Sequence, residues 1–299
     1  MKLLVAGDAN IDLQLTGLVS LPQTDKEVMC SGFTAAIGGS STICAAAYSS
    51  LGGRVEFCGL LGDDDSGRLM QKMLRTAGVG LGLLRFTREC ATGVTVNLVF
   101  SSTRTQITYP GTLSLMDESG TLLKKLRGFS HLHLGGLYPL ARFLPHVADV
   151  LKTARAAGVS TSLTTQWDPR EEWQHLSEWL PHLSYLFVNA AEALSITRRA
   201  TVEEAYEDLA ARTACPLITL GASGAIAAGN RIRGFPVAVV DTTGAGDSFA
   251  AGFLYATKQK LLPLHEAARY GCAAGALCCT YAGGVSSQLS HRSVMEFLA

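Results

Sequence analysis

The sequence has no surplus of either charge: Lys plus Arg and Asp plus Glu number 25 each. No global basic field exists to hold a polyanion, so no nucleic-acid partner is expected. Long apolar runs are also missing. The nearly charge-free apolar stretch 270–285 is too short to cross a bilayer and contains four glycines, so no transmembrane helix and no membrane partner is expected. Residues 1–7 carry one lysine and then strand-like residues before Asp8 and Asn10, with no apolar leader or cleavage site, which predicts a cytoplasmic protein. There is no C-x-x-C. The eight cysteines (Cys30, Cys44, Cys58, Cys90, Cys215, Cys272, Cys278, Cys279) are scattered and read as reduced, mostly buried small hydrophobes. The seven histidines form no H-E-x-x-H, and His131 and His133 share a strand face with no third ligand nearby, which disfavours zinc. No G-x-x-x-x-G-K-[ST] occurs, and no G-x-G-x-x-G follows the first strand. A P-loop and a dinucleotide-binding dehydrogenase are thereby excluded.

What remains is a chain of 299 residues, 47% hydrophobic and 17% charged, with mean hydropathy +0.22, rich enough in apolar residues to exclude disorder as its main state. β-Branched runs alternate with helix-period segments from end to end, the pattern of an α/β sheet with crossover helices. Strands are predicted at 2–6, 55–60, 131–134, 159–163, 185–188, 217–220, 225–228 and 237–240. Several lack strict alternation, as strands covered on both faces should. Leu144, Val147, Leu151 and Ala154 recur at helical spacing up to Gly158, and Thr201 with Glu204 forms a capping box opening another helix. Stretches 16–36 and 92–110 are extended, alternating and polar on one side. The expected architecture is α/β: a three-layer sandwich, its mostly parallel central sheet flanked by helices. It is one domain over 1–299 with a small β lid from segments near 13–36 and 91–111. Lid edges invite pairing with a second copy, so a homodimer through the lid is expected.

The most informative segment is VAVVDTTGAGDSFAAGF at 237–253. A buried strand is expected to run into Asp241, then a Thr-Thr-Gly-Ala-Gly turn, then a helix beginning near Asp247 with Phe249, Phe253 and Leu254 facing inward. Free amides at a helix N-terminus, reinforced by the dipole, make an anion cradle suited to phosphate. Gly244 and Gly246 remove Cβ atoms that would keep a phosphate away and permit unusual backbone angles. An acid in such a cradle repels phosphate, but it makes sense as a general base taking a proton from an attacking hydroxyl. The alternative for Asp247 is an ordinary helix N-cap.

This segment resembles the C-terminal signature of the ribokinase-like (PfkB) carbohydrate kinases, and the resemblance covers essentially the whole chain. It implies an ATP-dependent kinase for a small sugar or sugar derivative. In it, Asp247 is the catalytic base and the amides of Ala245, Gly246 and Asp247 form the anion hole. VAGDANID at 5–12 is similar to the family's first strand and turn, which assigns Asn10 and Asp12 to sugar hydroxyls; turn residues bonding their own backbone are the alternative. IGGSSTICAAAYSSLG at 37–52 resembles the N-terminal signature, with Gly38 and Gly39 bringing backbone close to the sugar. Ile43 stands where the family usually has Asn, so one hydroxyl contact is missing. GLLGDDDSG at 59–67 is similar to a structural, helix-capping segment.

Asn189 and Glu192 match the family's N-x-x-E. The resemblance implies that they organise Mg²⁺, through water, beside the nucleotide phosphates; in isolation the motif would be read as an exposed helix start. ITLGASGA at 218–225 resembles the T-L-G-x-x-G nucleotide loop, which makes Thr219, Gly221 and Gly224 ATP neighbours; a hairpin turn is the alternative. CCTYAGGVSS at 278–287 is similar to the tail that flanks adenine and, in many members, a monovalent cation. Asp241, Thr243, Cys278, Tyr281, Gly283 and Ser287 then line a K⁺ site, mostly through carbonyls. Gly135 and Gly136 stand where some ribose-specific members have glutamate, which with Ile43 predicts a less polar or roomier site. Asp168 and Arg170 resemble a D-x-N-x-R segment in which Arg170 pairs a substrate carboxylate or phosphate; a surface salt bridge is the alternative. A nucleoside kinase, with Ile43 and with Phe33 and Tyr109 of the lid covering a base, is the second expectation. A catalytically silent sugar or nucleotide sensor is the third.

Overall fold

The structure is a computed structural model describing residues 2–100, 104–285 and 288–299. Among these residues nine strands form one sheet. Its spatial order is Asn230–Ile232, Ala225–Ala227, Pro216–Thr219, Tyr185–Asn189, Ser160–Thr164, His131–Gly135, Lys2–Gly7, Arg54–Gly62 and Gly80–Thr87. Every neighbouring pair from Pro216–Thr219 to Gly80–Thr87 is parallel, and only the hairpin at the other edge is antiparallel. Strand Lys2–Gly7 shows why: Leu3 and Val5 enter one core, Leu4 and Ala6 the other, so both faces need helical cover. The first core lies under helices Ser40–Ser50, Ala245–Lys258 and Leu264–Cys278, the second under Val147–Ala156 and Val202–Arg212. This is the three-layer α/β sandwich that the alternation predicts.

Local signals act as expected at several ends. Helix Val147–Ala156 stops before Gly158 at φ 74°. The Thr201 hydroxyl accepts from Glu204 N at 3.3 Å, and Glu204 Oε2 accepts from Thr201 N at 3.2 Å. Residues 237–240 form no strand. The hairpin already ends the sheet there, and Val240 N and Asp241 N instead donate to Cys279 O, leaving Val239 and Val240 exposed. Gly80–Thr87, a strand that the sequence pattern did not give, is a half-exposed edge with no alternation to betray it.

A second sheet has the order Gly32–Gly38, Asn10–Leu18, Gly93–Phe100, Arg104–Tyr109; residues 19–31 between its first two segments carry no strand. Period-two alternation splits its faces. Asp12, Thr95 and Thr108 pair in register, as do Gln14, Asn97 and Gln106, on one side; Leu13, Val96 and Ile107 pair on the other. The polar side faces the C-terminal rim of the parallel strands, the end of an open α/β sheet where ligands bind.

Candidate active site

Between this rim and the polar face of the small sheet lies a cleft of about 240 Å³. Asp8, Asn10, Asp12, Gly39, Ser40 and Ile43 line it, with Thr95, Gln106 and Thr108 from the small sheet, Gln166, and Thr243, Gly244 and Asp247 from the glycine turn. The turn works as its residue types dictate. Gly244 caps helix Ala245–Lys258 at φ 74°, and a Cβ there would lie 2.6 Å from Gly284 O, so both backbone angle and space require glycine. Gly246 has no positive φ, and its missing Cβ faces open space, so its need for glycine is not conformational. Asp247 is the third residue of the helix, not its N-cap. Of the three amides assigned to an anion hole, that of Ala245 is turned to Thr242 O at 3.3 Å; those of Gly246 and Asp247 carry no such bond.

Asp247 accepts a hydrogen bond from the Ser40 hydroxyl. Burial pushes its carboxyl up to about 7; the Ser40 bond opposes this, and the fields of Asp8, Glu192 and Asp12 add to it. A group poised there changes charge near neutrality, as a general base does.

Asn10 donates to Asp12 Oδ1 at 3.0 Å and to Thr95 Oγ1 at 3.1 Å, so the two expected sugar ligands sit side by side, tied to the small sheet. Gly38 gives them room: a Cβ there would lie 2.1 Å from Asp12 Oδ1 and 2.7 Å from Asn10 Nδ2. Gly39, at φ 88°, opens helix Ser40–Ser50. Ile43 packs against both glycine turns, its side chain 2.7 Å from where a Cβ on Gly284 would stand. The predicted loss of polarity does not follow. The space at Gly136 is taken by the carboxyl of Asp8, and with Asp12 and Asp247 the cleft holds three carboxyls. Asp8, Ser40, Thr95, Gln106, Thr108 and Gln166 were not singled out from the sequence. The signal available for Thr95, Gln106 and Thr108 was the strand alternation itself.

Asn189 and Glu192 form a closed capping box. Glu192 N donates to Asn189 Oδ1 at 2.9 Å, and Glu192 Oε2 accepts from Asn189 N at 3.0 Å and from Thr165 Oγ1 at 3.1 Å. Glu192 is buried, which raises its pKa against those bonds, so the start of this helix is not the fully exposed one that the motif alone suggests. Asn189 pairs in register with Thr219, after which Gly221 (φ 59°) and Gly224 (φ 100°) make a tight turn. These residues occupy the same sheet rim as Asp8 and Gly135, and Glu192 is close enough to act electrostatically on Asp247. Among the described residues no three acidic, His or Cys side chains converge as a metal cage. One carboxylate and one amide oxygen suit Mg²⁺, which keeps its waters and takes phosphate oxygens.

Asp241 is locked in place. Burial works against its charge, but Thr243 N at 2.9 Å, Thr243 Oγ1 at 2.7 Å, Gly283 N at 2.9 Å and Gln14 Nε2 at 3.0 Å all donate to it and hold its pKa below the usual carboxylate range. Cys278 Sγ donates to Thr243 O at 3.3 Å, and the Tyr281 hydroxyl bonds Gln288. Ser287 lies outside the described residues.

Two expectations are corrected. Asp168 is buried and accepts from the amides of Arg170, Glu172 and Trp173, so it staples its own loop; Arg170 lies on that loop, outside the cleft. Phe33 and Tyr109 pair with Leu15 and Val94 on the opposite face of the small sheet, so they cannot cover a base in the cleft. His131 and His133 bond the hydroxyls of Ser160 and Ser162.

A parallel sandwich with a polar four-stranded cover and a poised carboxyl in the first turn of a glycine-opened helix defines a phosphotransferase of ribokinase-like fold. The solved ribokinase of Arabidopsis thaliana, complexed with ribose and ATP, matches it with TM-score 0.82 and 25% identity over 99% of this chain and 98% of that one. The family model described as pfkB family carbohydrate kinase matches residues 1–291, and the chain belongs to that family. It is 29% identical over 308 aligned positions to an ATP-dependent ribose-1-phosphate kinase of Halopiger xanaduensis (100% and 98% of the two chains). It is also 28% identical to fructokinase-2 of Solanum habrochaites (85% and 84%).

Proposed function

We propose that this chain transfers the γ-phosphoryl group of ATP to a hydroxyl of a small sugar or sugar derivative, with Asp247 as general base. The observation that carries this is the placement of the Asp247 carboxyl in the cleft, beside the amides of Gly246 and Asp247, which carry no backbone hydrogen bond. The acceptor O–H bond breaks toward Asp247 as the O–P bond forms and the bond to ADP breaks. The two amides and the helix dipole stabilise charge on the transferred group. Asn10 and Asp12 orient the acceptor, aided by backbone at Gly38 and Gly39, and the four-stranded sheet excludes water as a lid.

Thr219, Gly221 and Gly224 hold the nucleotide. Mg²⁺, when bound, supplies neutralising charge between the phosphates. Asn189 and Glu192 are the residues to hold it, through water. We extend the proposal to K⁺ beside the ionised Asp241, held by carbonyls of Thr243, Cys278, Tyr281 and Gly283; rates in potassium and tetramethylammonium chloride test it. Phe33, Ile107 and Tyr109 leave the outer face of the lid apolar and exposed, which supports a homodimer through the lid. Sedimentation of the wild type and a Phe33→Ser/Tyr109→Ser variant tests that. A screen of ADP release over pentoses, hexoses, sugar acids, sugar phosphates and nucleosides finds the acceptor. Asp247→Asn abolishes release with ATP still bound; near-normal turnover in that variant would end the base assignment.

A further inference from the structure

Ser40 is the one side chain that donates to Asp247 among the described residues, and its own place is fixed by Asp8. It opens helix Ser40–Ser50 behind Gly39, which offers no side-chain cap. The cap comes from elsewhere: Asp8 Oδ2 accepts from Ser40 N at 2.9 Å and Asp8 Oδ1 from Ser41 N at 2.8 Å. Asp8 directly follows strand Lys2–Gly7, and its carboxyl fills the space left by Gly136. The Ser41 hydroxyl donates to Gly135 O at 2.9 Å and Ala6 O at 3.3 Å, tying the same helix start to the ends of two parallel strands. Ser40 is only 2% exposed, so its hydroxyl gives up water to make the bond to Asp247.

We propose that Ser40 is a positioning residue for the base. Its hydroxyl holds Asp247 Oδ1, which leaves Oδ2 to take the acceptor proton, and Asp8 sets the position of Ser40. This rests on the reading of Asp247 as base. A buried donor to the ionised form favours that form, so losing it moves the carboxyl toward higher pKa.

The test is the pH profile of kcat/KM for ADP release, with the best acceptor from the screen, in wild type, Ser40→Ala, Ser40→Thr and Asp247→Asn. In Ser40→Ala the acid limb moves up by about one pH unit; the deficit is about five-fold at pH 7 and closes at alkaline pH. Ser40→Thr, which keeps the hydroxyl, restores the wild-type limb. If Ser40→Ala fails to fold, Ser40→Cys, a weaker donor of similar size, shifts the limb the same way by less. An unshifted limb in these variants, whether activity is unchanged or reduced equally at every pH, overturns the positioning role while an inactive Asp247→Asn leaves the base intact. An active Asp247→Asn overturns both.

Discussion

Asp8 and Gly136 are fitted to each other: a Cβ on residue 136 would lie 2.1 Å from Asp8 Cγ, and Gly136 has φ 56°. Gly136, one of the pair that suggested a roomier cleft, is therefore the seat of the carboxyl that follows the neighbouring strand. Gly136→Ala must strain its backbone and displace Asp8 from the amides of Ser40 and Ser41, at a cost of about 1–3 kcal/mol. Gly120→Ala, in a helix where an added Cβ meets nothing, should leave stability equal or higher. Thermal unfolding of both variants, with kcat/KM alongside, checks the pair. Equal stability in the two would mean that Asp8 moves freely.

The pKa of Asp247 sets the pH dependence of the free enzyme. The working form is the carboxylate, so kcat/KM should rise with pH through about 7 and fall about ten-fold per unit below it. A limb near the ordinary carboxylate range would show that the cleft solvates Asp247 more than its burial implies.

Gly244 and Gly246 should separate structure from chemistry. Gly244→Ala meets both positive φ and the carbonyl of Gly284, so it should lower Tm and activity together. In Gly246→Ala the new methyl enters open space beside the unbonded amides. It should leave Tm unchanged while cutting turnover by ten-fold or more, since about 1.4 kcal/mol of lost transition-state stabilisation has that effect. A variant with full turnover would show that the phosphoryl group does not approach residue 246.

The parts of this molecule that were legible in its sequence are those fixed by local chemistry. The apolar run of strand Lys2–Gly7, the stop at Gly158 and the Thr201 capping box each act through neighbours in the chain. The glycine turn at 244–246 was legible because its residue types permit few other uses. Val237 to Val240 were misread because a strand needs a partner edge, and the hairpin Ala225–Ala227 with Asn230–Ile232 had already closed the sheet. Asp8 and Ser40 escaped notice because their roles exist only across the cleft, through bonds spanning 32 and 207 positions of sequence. Phe33 and Tyr109 were assigned to the wrong face. Strand register decides the face, and a one-residue shift inverts it.

Acid should weaken this fold through two histidines that take no part in the proposed chemistry. His131 Nδ1 and Nε2 lie 2.7 Å from the hydroxyls of Ser160 and Ser162, and His133 Nδ1 lies 2.8 Å from Ser162. Burial lowers both pKa values, that of His133 to about 3, and the Lys258 ammonium adds to the effect on His131. In the unfolded chain both titrate near the ordinary value of about 6.5. Below that pH the unfolded state therefore binds protons that the native state refuses, and stability falls as pH drops from about 6.5 toward 3. The limiting slope is about 1.4 kcal/mol per pH unit for each histidine. Asp8, Asp247 and Glu192 have raised values and act in the opposite direction, binding protons in the native state first. Net stability alone cannot separate these contributions, but a variant can. His133→Gln keeps a hydrogen-bonding side chain and removes one titration, so it should be less stable than wild type at pH 7.5 and lose less on moving to pH 5. Urea unfolding at both pH values measures the difference. Parallel losses in the two proteins would mean that His133 is protonated in the native state.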